Sequence, residues 1–146
     1  MCGVVGFWDK QSLIEGNPED LVRKMSAKLS HRGPDDGSAW IDPDAGLALG
    51  HQRLAIQDLS PAGKQPMLSR SGRYVIAYNG EIYNARELKA ELEKDSSVSQ
   101  DWKGHSDTEV LLALIESRGL DSAVSRCIGM FAFALWDSEQ KALHLV

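Results

Sequence analysis

Cysteine is scarce in this sequence: Cys2 and Cys127 are the only two among 146 residues, and they stand near opposite ends. Such a pair is no disulfide framework, so a reducing, cytoplasmic setting is expected. No cluster of basic residues interrupts a chain with a formal net charge of −5, and the electrostatic footprint of a nucleic-acid partner is missing. Long apolar runs are missing too. The longest extends from Met130 to Trp136, far short of the roughly 20 residues that span a bilayer as a helix. No basic-then-apolar leader precedes Cys2, so neither a secretory signal nor a lipoprotein cysteine is expected, and Cys rather than Gly in second position argues against myristoylation. The chain contains no Gly-x4-Gly-Lys-Ser/Thr phosphate loop, no Gly-x-Gly-x-x-Gly fingerprint and no serine elbow. His31, His51, His105 and His144 share no metal-ligand spacing with the cysteines.

What is present is ordinary in bulk. Hydrophobic residues make up 42% and charged residues 25%, which predicts a single globular domain with a genuine core. The unusual stretch is the first, Met1-Cys2-Gly3-Val4-Val5-Gly6. Removal of Met1 would leave a thiol and a free α-amine on one residue. An α-amine titrates near ~7.7–8.0, low enough to be partly neutral at physiological pH, and an N-terminal amine is a known base for the nucleophile on its own residue. Two glycines around a β-branched pair predict a short strand that another backbone or a ligand approaches closely. The alternative is that Met-Cys-Gly is merely how the chain begins.

Further along, Asn17-Pro18 predicts the start of a helix, whose apolar stripe would be Leu21, Met25 and Leu29 joined by Val22. His31-Arg32-Gly33-Pro34-Asp35-Asp36-Gly37 has the composition of a tight turn, although a turn does not require the His-Arg pair. A hairpin is expected from the strand Ser38–Ile41, a turn at 42–46 and a returning strand Leu47–Leu54. On the returning strand Leu47, Leu49, His51 and Arg53 share one face. Arg53 then emerges at a strand end, either as a surface arginine or as a bidentate grip for a carboxylate. The turn-rich loop from Asp58 to Met67 is long enough to be functional.

Asn79-Gly80 carries two readings. By local signal it is a hairpin turn joining Tyr74–Tyr78 to Glu81–Tyr83. It also places a side-chain amide beside a backbone N–H, two donors in a row. Asn84-Ala85-Arg86-Glu87 and Ser106-Asp107-Thr108-Glu109 both read as capping boxes that open helices. In the second, Asp107 fits simply as an anion at a helix N-terminus. Cys127 is expected to be an inert core thiol before a buried strand, Gly129–Trp136, and a final strand runs from Ala142 to Val146.

In order, the distinctive motifs are Met-Cys-Gly, His-Arg-Gly-Pro-Asp at 31–35, Gly-His-Gln-Arg-Leu-Ala-Ile at 50–56, Tyr-Asn-Gly-Glu-Ile-Tyr-Asn at 78–84, Ser-Asp-Thr-Glu at 106–109 and Gly-Met-Phe-Ala-Phe-Ala-Leu-Trp-Asp at 129–137. Each alone is weak. Together and in this order, the sequence resembles the glutaminase domain of class II glutamine amidotransferases, most closely the asparagine synthetase type, over essentially the whole chain.

The resemblance implies an α+β chain with the N-terminal-nucleophile hydrolase fold, a four-layer αββα sandwich. It implies Cys2 as nucleophile with its α-amine as base, and Asn79 with Gly80 as the oxyanion hole. Arg53 would hold the α-carboxylate of L-glutamine and Asp107 its α-amine. Backbone groups at Leu54, Ile56 and Glu81 would line the same pocket, and Arg32 would support the N-terminal segment. No metal or cofactor is implied for this domain. ATP and Mg would belong to a C-terminal synthetase domain, the expected covalent partner, whose Ser-Gly-Gly-type loop does not occur between residues 1 and 146. Family members continue past the Leu-Trp-Asp segment, so residues 1–146 are expected to be a glutaminase domain truncated at its C-terminus. The resulting apolar sheet edge would favour association into a homodimer. Neither nucleic acid nor a membrane is an expected partner. Besides asparagine formation, amidation of a sugar acid or peptide carboxylate, free-standing γ-glutamyl amide hydrolysis and idle glutamine binding remain open.

Overall fold

A computed structural model describes residues 2–11, 13–56, 58–95 and 101–146. Two antiparallel sheets lie face to face, and helices cover the outer face of each. The first sheet has the order β1-β3-β2, from β1 (Gly3–Trp8), β2 (Asp36–Asp42) and β3 (Leu47–Arg53). The second has the order β4-β5-β6-β7, from β4 (Met67–Leu68), β5 (Tyr74–Ile82), β6 (Gly129–Asp137) and β7 (Ala142–Leu145). Helix α1 (Pro18–Ala27) packs on the first sheet. Helices α2 (Ala85–Leu92), α3 (Asp107–Arg118) and α4 (Leu120–Arg126) cover the second. This is the αββα layering expected from the sequence.

Strand alternation divides the core in two. Leu47 and Leu49 of β3 meet Val75 and Ala77 of β5 between the sheets, together with Trp136. Trp8 packs edge-on against Trp136 there, with ring centroids 5.4 Å apart. The even-numbered residues Ile76, Tyr78 and Ile82 point the other way, into a second cluster with Leu111, Leu114 and Ile115 of α3. A strand covered on both faces leaves little room for polar residues, and β3 is buried along nearly its whole length.

The expected start of α1 is present: the Asn17 side chain accepts the Glu19 N–H at 2.8 Å, with Pro18 at the first helical position. Its buried line is Val22 and Ser26, one step round from the Leu21–Met25–Leu29 stripe, because Gly50 of β3 lets the helix come close. A Cβ on Gly50 would lie 3.2 Å from atoms of both Val22 and Ser26. The hairpin at 42–46 also forms, with Asp42 Oδ1 accepting the Ala45 N–H at 3.0 Å and Gly46 at φ 69°.

Asn79-Gly80 is not a hairpin turn. Both residues lie inside β5, opposite Ala132 and Phe131 of β6. The glycine answers a close approach: a Cβ on Gly80 would fall 2.4 Å from Phe131 Cβ and 2.5 Å from the Met130 carbonyl oxygen. The first capping box also fails. Asn84 makes no side-chain cap, because its amide is bound by the end of α4 and the link into β6, donating to Arg126 O at 3.0 Å and accepting the Ile128 N–H at 2.8 Å. The second forms by half: Ser106 Oγ accepts the Glu109 N–H at 3.3 Å, while the Glu109 carboxylate turns to the Lys103 and Gly104 N–H groups. Strand β6 is buried only from Phe133 onward, whereas Met130 is 73% exposed. Cys127 is half-buried, its thiol donating to Ala123 O at 3.2 Å and pushed up in pKa by burial, as an inert thiol should be.

Candidate active site

Strand parity gathers the candidate residues at one end of the sandwich. Val4 and Trp8 of β1 face the second sheet, so Cys2, two residues before Val4, does as well. Leu47 and Leu49 set the same orientation for His51 and Arg53, and Val75 and Ala77 set it for Asn79 and Glu81. Between the two sheets at this end lies a cavity of about 230 Å³. Cys2, Arg53, Leu54, Ile56, Asn79, Gly80, Glu81 and Asp107 all line it. Of the residues expected at the site, Arg32 alone stands behind it.

The Cys2 side chain is fixed by the chain leaving β3. Its Sγ accepts the Leu54 N–H at 3.4 Å and lies 3.8 Å from the Leu54 carbonyl oxygen, to which the thiol can donate. Arg32 Nε donates to the Cys2 carbonyl at 3.1 Å, a bond from the residue that the resemblance assigned to the N-terminal segment. Asp35 holds the next turn in place, its carboxylate accepting the Ala55 N–H at 2.8 Å. The expected turn is thus shorter, giving way to β2 at Asp36, and its residues Arg32 and Asp35 brace both sides of the thiol.

The edge of β5 supplies donors. Strand β4 pairs with β5 only at Ile76 and Val75, so beyond these residues that edge is free of a strand. Tyr78 N–H leaves it to reach Gln65 Oε1 at 2.7 Å, and Ile82 N–H leaves it to reach Asp107 Oδ2 at 2.9 Å. By the two-residue repeat of a strand, the Gly80 N–H between them points off the same edge, toward the cavity. The adjacent Asn79 side-chain oxygen is buried with no hydrogen-bond partner. An amide anchored by no protein donor can rotate to present its NH₂ to a ligand.

The two charged ends of the cavity are held differently. Arg53 is 9% exposed, and its Nη1 donates to Ser60 O at 3.0 Å and its Nη2 to Asp58 O. Carbonyl anchors orient the fork without neutralising it, leaving a buried cation suited to a carboxylate. Asp107 opens α3 and is 6% exposed, with Oδ2 accepting both Tyr78 OH, at 2.9 Å, and the Ile82 N–H. Burial and the neighbouring Asp107 push the Tyr78 phenol far up, so it stays a donor. Beneath them His51 is fully buried, Nε2 2.9 Å from Tyr78 O and Nδ1 without a partner. Burial lowers its pKa to about 4, so the imidazole is neutral and Nε2 carries the proton.

A glutamine amidotransferase domain model matches residues 1–146. The chain belongs to that family. Among similar proteins, asparagine synthetase [glutamine-hydrolyzing] 1 of Bacillus subtilis is 39% identical over 99% of this amidotransferase domain and 22% of its own length. Amidase chry2 of Gibberella zeae is 34% identical over 98% of the domain and 22% of its own length. A solved glutamine phosphoribosylpyrophosphate amidotransferase from B. subtilis superposes with a TM-score of 0.68 at 23% identity, covering 92% of this chain and 35% of that one. The fold is therefore that of the N-terminal-nucleophile amidotransferases. The chain spans about a fifth of the curated relatives it matches.

Sequence reasoning passed over Asp58, Gln65 and Tyr78. Gln65 binds Tyr78 N–H through its Oε1, and its Nε2 donates to Thr108 Oγ1 of α3 at 3.3 Å, which joins the strand edge to the helix. The signals were present, in a long loop rich in turn formers and a tyrosine beside Asn-Gly. Neither shows which residues meet. Among the described residues no three His, Cys, Asp or Glu side chains gather as a metal site, and no helix is long and apolar enough to cross a membrane.

Proposed function

We propose that this domain hydrolyses the side-chain amide of L-glutamine to glutamate and ammonia through a thioester on Cys2. The observation that carries the proposal is the shared cavity. A candidate nucleophile, two candidate oxyanion donors, a buried cation and a buried anion surround about 230 Å³, below the roughly 300–1,000 Å³ of sites for drug-sized ligands. A single amino acid with a free α-carboxylate and α-ammonium matches those charges. Arg53 takes the carboxylate and Asp107 the ammonium. The side-chain amide is then directed at Cys2.

With Met1 removed, the Cys2 α-amine takes the thiol proton, and sulfur attacks the amide carbon. The C=O π pair moves to oxygen, where Gly80 N–H and Asn79 Nδ2 receive the oxyanion. As the tetrahedral species collapses, the C–N bond breaks and the amine's proton leaves with the nitrogen as ammonia. Water, deprotonated by the same amine, attacks the γ-glutamyl thioester and frees glutamate and the thiol. Leu54 and Ile56 shape the wall behind the sulfur, and Glu81 extends it along β5.

The ammonia acceptor would be activated by a C-terminal synthetase domain using ATP and Mg, with asparagine formation as the leading assignment. No step in the present domain runs through either group. The test is glutamate release by the full-length protein. Release that is lost on Cys2→Ala supports the reading. Glutamine binding without turnover in the Met-free protein would favour an idle binding module.

A further inference from the structure

The geometry points to Asp58 as the positioning residue that sets the distance between Arg53 and Asp107, and so makes the cavity selective for a molecule carrying both α-groups of an amino acid. This rests on the glutamine reading above. Asp58 is 6% exposed and binds in two directions at once. Its backbone carbonyl accepts from Arg53 Nη2. Its carboxylate accepts the His105 N–H on Oδ2 at 2.8 Å, two residues before Asp107, and the Ser60 N–H on Oδ1 at 2.8 Å. Ser60 in turn gives its own carbonyl to Arg53 Nη1 at 3.0 Å. One residue therefore ties the cation at one end of the cavity to the helix start that carries the anion at the other.

Two glycines show how tightly this strap is built. A Cβ on Gly104 would lie 2.4 Å from Asp58 Oδ2, and a Cβ on Gly63 would lie 2.2 Å from Arg53 Nη2. Both φ values lie outside the left-handed region, so it is space for the carboxylate and the guanidinium that these positions provide. The carboxyl itself is held well below the usual carboxylate range, first by the His105 N–H and then by Ser60.

Asp58→Asn keeps the carbonyl that binds Arg53 but offers a single acceptor oxygen where two N–H groups converge. The full-length protein should show a KM for glutamine raised about tenfold or more, with kcat changed less than about threefold, because misplacement of a binding group by ~1 Å is enough for such losses. Introduced beside Asp107→Asn, the same change should add less than about twofold to KM, since the separation matters only while both charges are present. Gly104→Ala, whose added Cβ would displace the Asp58 carboxylate, should reproduce the rise in KM. An unchanged KM in both single variants overturns the role of Asp58. So do fully additive effects in the double variant, which are the mark of a merely structural residue. If the unaltered protein fails to hydrolyse glutamine, the glutamine reading itself falls, a result distinct from the other two.

Discussion

The hydroxyl of Tyr78 donates to Oδ2 of Asp107 at 2.9 Å, joining the strand that carries the candidate oxyanion donors to the helix that carries the candidate ammonium site. Tyr78→Phe removes one bond from a buried carboxylate. Bonds to charged groups contribute about 1.5–3 kcal/mol, so both the denaturant midpoint and glutamine affinity should fall. Denaturation curves and steady-state KM for the two proteins check this, and a variant unchanged in both would mean that Asp107 is held by Ile82 N–H alone.

Arg53→Ala and Asp107→Ala should act on substrate binding. Each removes a charge-assisted contact of about 1.5–3 kcal/mol, or roughly ten- to hundred-fold in KM. Unchanged KM in both variants would remove them from the pocket assignment.

Asn79→Ala should act on the chemical step. Loss of one oxyanion donor typically lowers turnover roughly 10²–10³-fold. Because that bond strengthens only as charge develops on oxygen, kcat should fall while KM stays nearly constant. A KM effect without a kcat effect would make Asn79 a binding residue.

His51 predicts a pH dependence of stability. The folded protein holds the imidazole at about 4, chiefly through burial, with Arg53 pushing further down and Asp36 pulling up. The unfolded chain titrates near ~6.5, so it binds the extra proton between those two values. Stability therefore rises with pH from about 4 to about 6.5 and is complete above that range. His51→Gln should flatten this part of the profile, measured as denaturant midpoints against pH. Parallel profiles for the two proteins would contradict it.

How far these features could be read beforehand depended on their range in the chain. Asn17 caps a helix two residues away, and Asp42 closes a turn within three, so local residue preferences sufficed. Asn79-Gly80 shows the opposite case. Its local signal says turn, yet the glycine is there because β6, more than forty-five residues later, passes too close for a side chain. Asn84 lost its cap to the segment that leads from α4 into that strand. The ties among Asp58, His105, Gln65, Thr108 and Tyr78 cross between 13 and 47 residues of chain. No periodicity encodes such pairings. The candidate cluster was legible through its motifs, whereas the scaffold that holds it was not.

Sulfur chemistry at Cys2 is most directly tested by intact-mass measurement of the full-length protein, quenched during glutamine turnover, beside its Cys2→Ala variant. A chain beginning at Cys2 that gains one γ-glutamyl group, with both that adduct and glutamate release absent from the variant, is the predicted result. Undiminished glutamate release by Cys2→Ala, or by a chain that still carries Met1, would contradict it.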